Sequence, residues 1–141
     1  MKTIYTATAT ASGGRNGTAC TDDSALQVKL VRPRELGGDG AAGTNPEQLF
    51  ACGYGACFAS TLDVVARKRK LTLTRNEVTA HIGLCQREEG GYVLSAKLDI
   101  LLGGVDGAVA EDLVREAHVI CPYSNSISAT VPVELAIGIS E

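Results

Sequence analysis

Residues 48–62, QLFACGYGACFASTL, carry no charged side chain over 15 consecutive positions. The run is too short for a membrane span and holds glycine, serine and threonine, so it predicts a buried core helix. The flanks set its ends. Upstream, TNPEQLF places Asn45 as a cap and Pro46 at the first helical position. Thr44-x-x-Glu47 resembles a capping box shifted by one. Downstream, RKRK at residues 67–70 suits the negative end of the helix dipole, so the helix is expected to end near Lys70. A helix this apolar on nearly every side must be covered by other elements on most of its surface.

The remaining segments alternate as covering strands do. TIYTATATAS at residues 3–12 reads as a first strand, followed by a turn on SGGRNGT at 12–18. Leu26, Val28 and Leu30 alternate with polar residues, and this strand is expected to pair with the first. LGGDGAAG at 36–43 is a glycine-rich connection without the spacing of a phosphate-binding loop. Val78, Ala80, Ile82 and Leu84, then Tyr92, Leu94, Ala96, Leu98 and Ile100, form the two arms of a hairpin around Glu89-Gly90-Gly91. Residues 106–120 are amphipathic and helical, with Val109, Leu113 and Ala117 on one face, and 131–139 alternate as a last strand. With 141 residues and no linker or repeat, one domain over 1–141 is expected. The net charge of −3 argues against nucleic acid or an anionic membrane as partner. The start, MKTIYTATAT, lacks the apolar core of a secretory signal, which points to the cytoplasm.

Five cysteines, Cys20, Cys52, Cys57, Cys85 and Cys121, are an odd set without a CxxC, so neither a disulfide framework nor a zinc site is expected. Cys20, Cys52 and Cys85 read as small buried hydrophobes. On a helix, Cys52 and Cys57 face directions about 140° apart and do not share a pocket. Cys121 precedes Pro122 where a helix is disfavoured, a junction expected to move. Cys57 on a rigid helix and Cys121 at that junction suit an attacking and a resolving thiol. Cys57 lies well beyond the first turn, where the helix dipole acts, and burial alone would silence it. It therefore needs a nearby cation. Arg15, in the turn SGGRNG, is the cation in an unusual place, though a solvated loop charge explains it equally well.

The motifs YTATATASGGRNG, GTNPEQLF followed by GYGACF, and the distant CPYSN together resemble the organic hydroperoxide resistance branch of the Ohr/OsmC family, over nearly the whole chain. The resemblance implies an α+β fold with curved antiparallel sheets around central helices, in an intertwined homodimer. It implies a peroxidase without metal or other cofactor that reduces organic hydroperoxides, including those of fatty acids. Its expected reductant is a protein bearing dihydrolipoyl groups. By position, Cys57 resembles the peroxidatic thiol, Cys121 the resolving thiol, Arg15 the catalytic arginine and Glu47 the carboxylate that holds it. Cys52 and Gly55 stand where alanine is more usual, and SISATVP follows CPYSN in place of a frequent Thr-Arg-Gly stretch.

Two consequences follow from spacing. Glu47 and Cys57 are ten residues apart, roughly 15 Å along a straight helix. One arginine does not easily touch both, so either the helix breaks at Gly53 or Gly55 or a second subunit supplies a contact. Phe50, Tyr54 and Phe58 recur every four residues and are expected to be mostly core. Where they reach the thiol they would favour an alkyl or aryl hydroperoxide over hydrogen peroxide. A redox sensor using the same thiol pair would react once and not turn over, but no helix-turn-helix or basic patch supports it.

Overall fold

The computed structural model describes residues 1–140. The chain forms two compact units, Met1–Leu49 and Phe50–Glu141.

The first unit holds an antiparallel three-stranded sheet in the order β1 (Ala9–Ser12), β2 (Thr18–Thr21) and β3 (Gln27–Lys29). The expected first strand over 3–12 shortens to its last four residues, because the ladder with β2 begins at the pair Ala9–Thr21. Residues before that have no partner strand among the described residues. β3 pairs with β2, not with β1 as expected. The intervening strand, TACT, is too short to show a period in the sequence, where it merges with the turn before it. Between β1 and β2 the chain turns through a single 3-10 turn, Gly14–Asn16. Gly13 and Gly14 have positive φ there, and a Cβ on Gly17 would lie 1.7 Å from the Ser12 carbonyl oxygen. Only glycine fits this turn.

The long helix α1 (Pro46–Lys68) begins where the sequence places it. Asn45 Oδ1 accepts from the Gln48 backbone N–H at 2.9 Å, a side-chain cap. The shifted capping box does not form: Thr44 Oγ1 bonds the Gln48 side chain instead. The helix stops two residues before Lys70, whose φ of 58° turns the chain left-handed while Leu71 N–H reaches back to the Ala66 carbonyl. It runs unbroken through Gly53 and Gly55.

The second unit's sheet has the order β4 (Arg75–Gln86), β5 (Tyr92–Gly103), β6 (Val133–Ser140). β4 and β5 form the expected antiparallel hairpin. β6 runs parallel to β5, so this sheet is mixed where antiparallel pairing alone is expected. The cause is the crossover: α2 (Gly107–Ile120) and α3 (Pro122–Ile127) carry the chain back to the starting end of β5. Ala96, Leu98, Ile100 and Leu102 of β5 are buried in one core with Tyr54, Phe58, Leu62 and Val65 of α1 and Leu113, Val114 and Ala117 of α2. Asp106 caps α2, accepting from Val109 N–H at 2.9 Å. α1 is long and apolar enough by length and composition to cross a membrane. One face of it is core, while Cys52, Ala56, Ser60 and Val64 stay exposed, so the chain covers less of it than its composition demands.

Candidate active site

Two groups of side chains answer to the sequence candidates. The first lies within residues 1–49. Arg15 Nη1 and Nη2 donate to Glu47 Oε2 and Oε1 at 2.7 and 2.6 Å, a bidentate fork. The glycine turn presents Arg15, and the first turn of α1 presents Glu47. The hydrogen bonds from Arg15 hold the Glu47 carboxyl below its usual range, against the opposing effect of burial. Both Glu47 carboxylate oxygens are engaged by Arg15, and a bond from its own backbone N–H also lowers the carboxyl.

The second group lies within residues 50–140. Cys57 and Cys121 are both free thiols, their sulfurs 3.7 Å apart. They differ in access: Cys57 is partly exposed, Cys121 fully buried. The junction at Cys121 is hydrogen-bonded on both sides. Its N–H donates to the Ala117 carbonyl at 2.8 Å, closing α2, and its carbonyl accepts from Asn125 N–H at 2.9 Å, opening α3. Pro122 sits at the first position of α3, where its missing N–H costs nothing. The same proline that stops one helix therefore starts the next.

Burial pushes the Cys57 thiol above its ordinary value; a hydrogen bond from the Tyr123 backbone N–H opposes this, and the neighbouring Cys121 sulfur adds to the rise.

Of the three aromatic candidates, Tyr54 and Phe58 are fully buried and Phe50 is only partly so. Phe50 and Tyr54 both meet Tyr123 of α3, with ring centroids 5.4 and 5.7 Å apart. The Tyr54 hydroxyl is bonded to Ser124 Oγ at 2.8 Å. Sequence reasoning misses Tyr123 and Ser124; the proline-led helix start in CPYSN is the signal that places them beside the sulfurs. The three cysteines expected as buried fillers are a further correction. Cys52 and Cys85 are exposed and Cys20 half-buried. Cys52 lies on the uncovered face of α1, and Cys85 lies near the hairpin end of β4, where the strand leaves the core.

Known proteins resemble this chain along most of its length. The profile of the family described as OsmC-like protein matches residues 37–136. An organic hydroperoxide resistance protein of Xanthomonas axonopodis pv. citri is 46% identical over 138 residues, covering 97% of this chain and 96% of the relative. Organic hydroperoxide resistance protein OhrB of Bacillus subtilis is 37% identical, over 95% of this chain and 98% of its own. Among solved structures, the organic hydroperoxide resistance protein OsmC of Legionella pneumophila superposes with a TM-score of 0.93 at 44% identity, covering 97% and 99% of the two chains. That of Elizabethkingia anophelis gives 0.94 at 41% identity, covering 99% and 100%.

Proposed function

The chain belongs to the OsmC-like protein family, and we propose that it serves organic hydroperoxide resistance as a cysteine peroxidase acting in the cytoplasm. One observation carries the reading: two free thiols 3.7 Å apart, of which only Cys57 has solvent access. A peroxide arriving from solvent meets Cys57 first, and the buried Cys121 is shielded from it.

The Cys57 thiolate attacks the terminal oxygen of the hydroperoxide. The O–O bond breaks, the alcohol leaves with a proton, and Cys57 becomes a sulfenic acid. Cys121 then condenses with it, releasing water and leaving a Cys57–Cys121 disulfide. A dithiol of the dihydrolipoyl type reopens the disulfide by exchange. Because burial pushes the Cys57 thiol up, this chemistry needs a guanidinium at the sulfur, a role we give to Arg15, anchored by Glu47. α1 is unbroken between Glu47 and Cys57, which favours a second subunit as the source of that cation. Ile4 and Tyr5, 93% and 80% exposed, and the uncovered face of α1 suit such a homodimer. Phe50, with Tyr54 and Phe58 behind it, lines the apolar side on which an alkyl or aryl chain rests.

The test is peptide mass spectrometry after one equivalent of cumene hydroperoxide. Wild type is expected to give a Cys57–Cys121 link, and Cys121→Ser a trapped Cys57 sulfenic acid. Hydrogen peroxide consumed faster than cumene hydroperoxide would overturn the substrate class. In Cys121→Ser, alkylation against pH is expected to place the Cys57 thiol below its ordinary value, and adding Arg15→Ala to raise it; equal titrations would remove Arg15 from the mechanism.

A further inference from the structure

Tyr54 and Ser124 are both fully buried, and their hydroxyls share one hydrogen bond of 2.8 Å. Their positions in the chain are what matter. Tyr54 precedes Cys57 by three residues on α1, and Ser124 follows Cys121 by three residues on α3. Tyr54 thus lies about one turn before Cys57 on α1, and Ser124 lies in the first turn of α3, the helix that Cys121 caps. We infer that the Tyr54–Ser124 hydrogen bond is a positioning device for the resolving step, holding the Cys121 sulfur against Cys57; this rests on the peroxidase reading above.

α3 has six residues, too few to persist in water without tertiary ties. Tyr54 makes two of its ties to α1, the hydroxyl bond to Ser124 and the ring stacked on Tyr123 at 18°, beside the Phe50 ring and the Tyr123 N–H bond to Cys57. The step it serves is demanding in distance. The sulfurs must close from 3.7 Å to about 2.05 Å as the S–S bond forms. The Cys57 S–O bond and the Cys121 S–H bond break, and the sulfenic hydroxyl leaves with the Cys121 proton as water. Any loosening of α3 lengthens the life of the sulfenic acid. A second peroxide then competes with Cys121 and drives Cys57 to the sulfinic acid. The bond thus sets how often the enzyme escapes inactivation, while the first oxidation, at the more accessible sulfur, does not depend on it.

The experiment compares wild type, Ser124→Ala, Tyr54→Phe and the double variant under excess cumene hydroperoxide without reductant. Each protein is first passed through gel filtration to select the folded fraction. Mass spectrometry then measures the ratio of Cys57 sulfinic acid to Cys57–Cys121 disulfide. Losing the bond that positions α3 is expected to raise that ratio about tenfold in either single variant. The double variant is expected to equal the singles, since the bond is already gone. The rate of Cys57 thiol loss in Ser124→Ala should match wild type. Ratios equal to wild type in both singles, with the wild-type disulfide forming normally, would overturn the positioning role alone, as would a double variant that multiplies the two effects. A wild type that forms no disulfide would overturn the peroxidase reading and this inference with it.

Discussion

At the scale of single residues, charge and access divide the work. Arg15 and Glu47 form a fork whose side chains are 32% and 14% exposed. A pair this accessible is worth ~1 kcal/mol once solvent screening is counted. Its pH dependence has a definite sign. Glu47 is held below its usual range by Arg15, so its contribution is present above the ordinary glutamate value of about 4.3 and is lost as pH falls through the depressed folded value. Thermal melts of wild type and Glu47→Gln should differ at pH 6 and converge in acid. A difference that persists unchanged at pH 3 would show that the stabilisation does not come from the carboxylate's charge.

At the scale of elements, α1 carries a residue that helix propensity alone would reject. Glycine inside a helix costs about 1 kcal/mol relative to alanine. At Gly53, however, a Cβ would lie 2.7 Å from the Tyr123 hydroxyl, on a ring already stacked against Tyr54. Gly53→Ala is therefore expected to lower the melting temperature despite its better propensity, with overpacking of about 1–3 kcal/mol outweighing the gain. A Cβ at Gly107, at the start of α2, would meet no atom within 4 Å. Gly107→Ala should raise the melting temperature, by about 0.4–1 kcal/mol of stability. If both substitutions moved stability in the same direction, local packing would not be what decides them. The long helix, the hairpin and α2 are legible in the sequence because each has an unambiguous apolar period and clear end signals. β2 and α3 are not, because four and six residues are too few to show a period.

At the scale of the whole molecule, the exposed face of α1 has a testable consequence. Cys52, Ala56 and Val64 present an apolar strip to solvent along a helix whose other face is core. Under the proposed homodimer, sedimentation should give a particle of twice the chain mass, and Ala56→Arg should shift it toward one. A fully active wild-type monomer would count against the second-subunit source of the cation. The sequence by itself determined the class of fold and the central helix with its cap, and it singled out Cys57 and Cys121 as candidates, because these depend on local patterning and on short motifs that occur once in the chain. Only the tertiary structure decided that β6 runs parallel to β5, that Cys121 is clamped between two helices, and that Cys57 is the accessible sulfur. Those facts depend on which distant segments meet, and side-chain period carries no information about that.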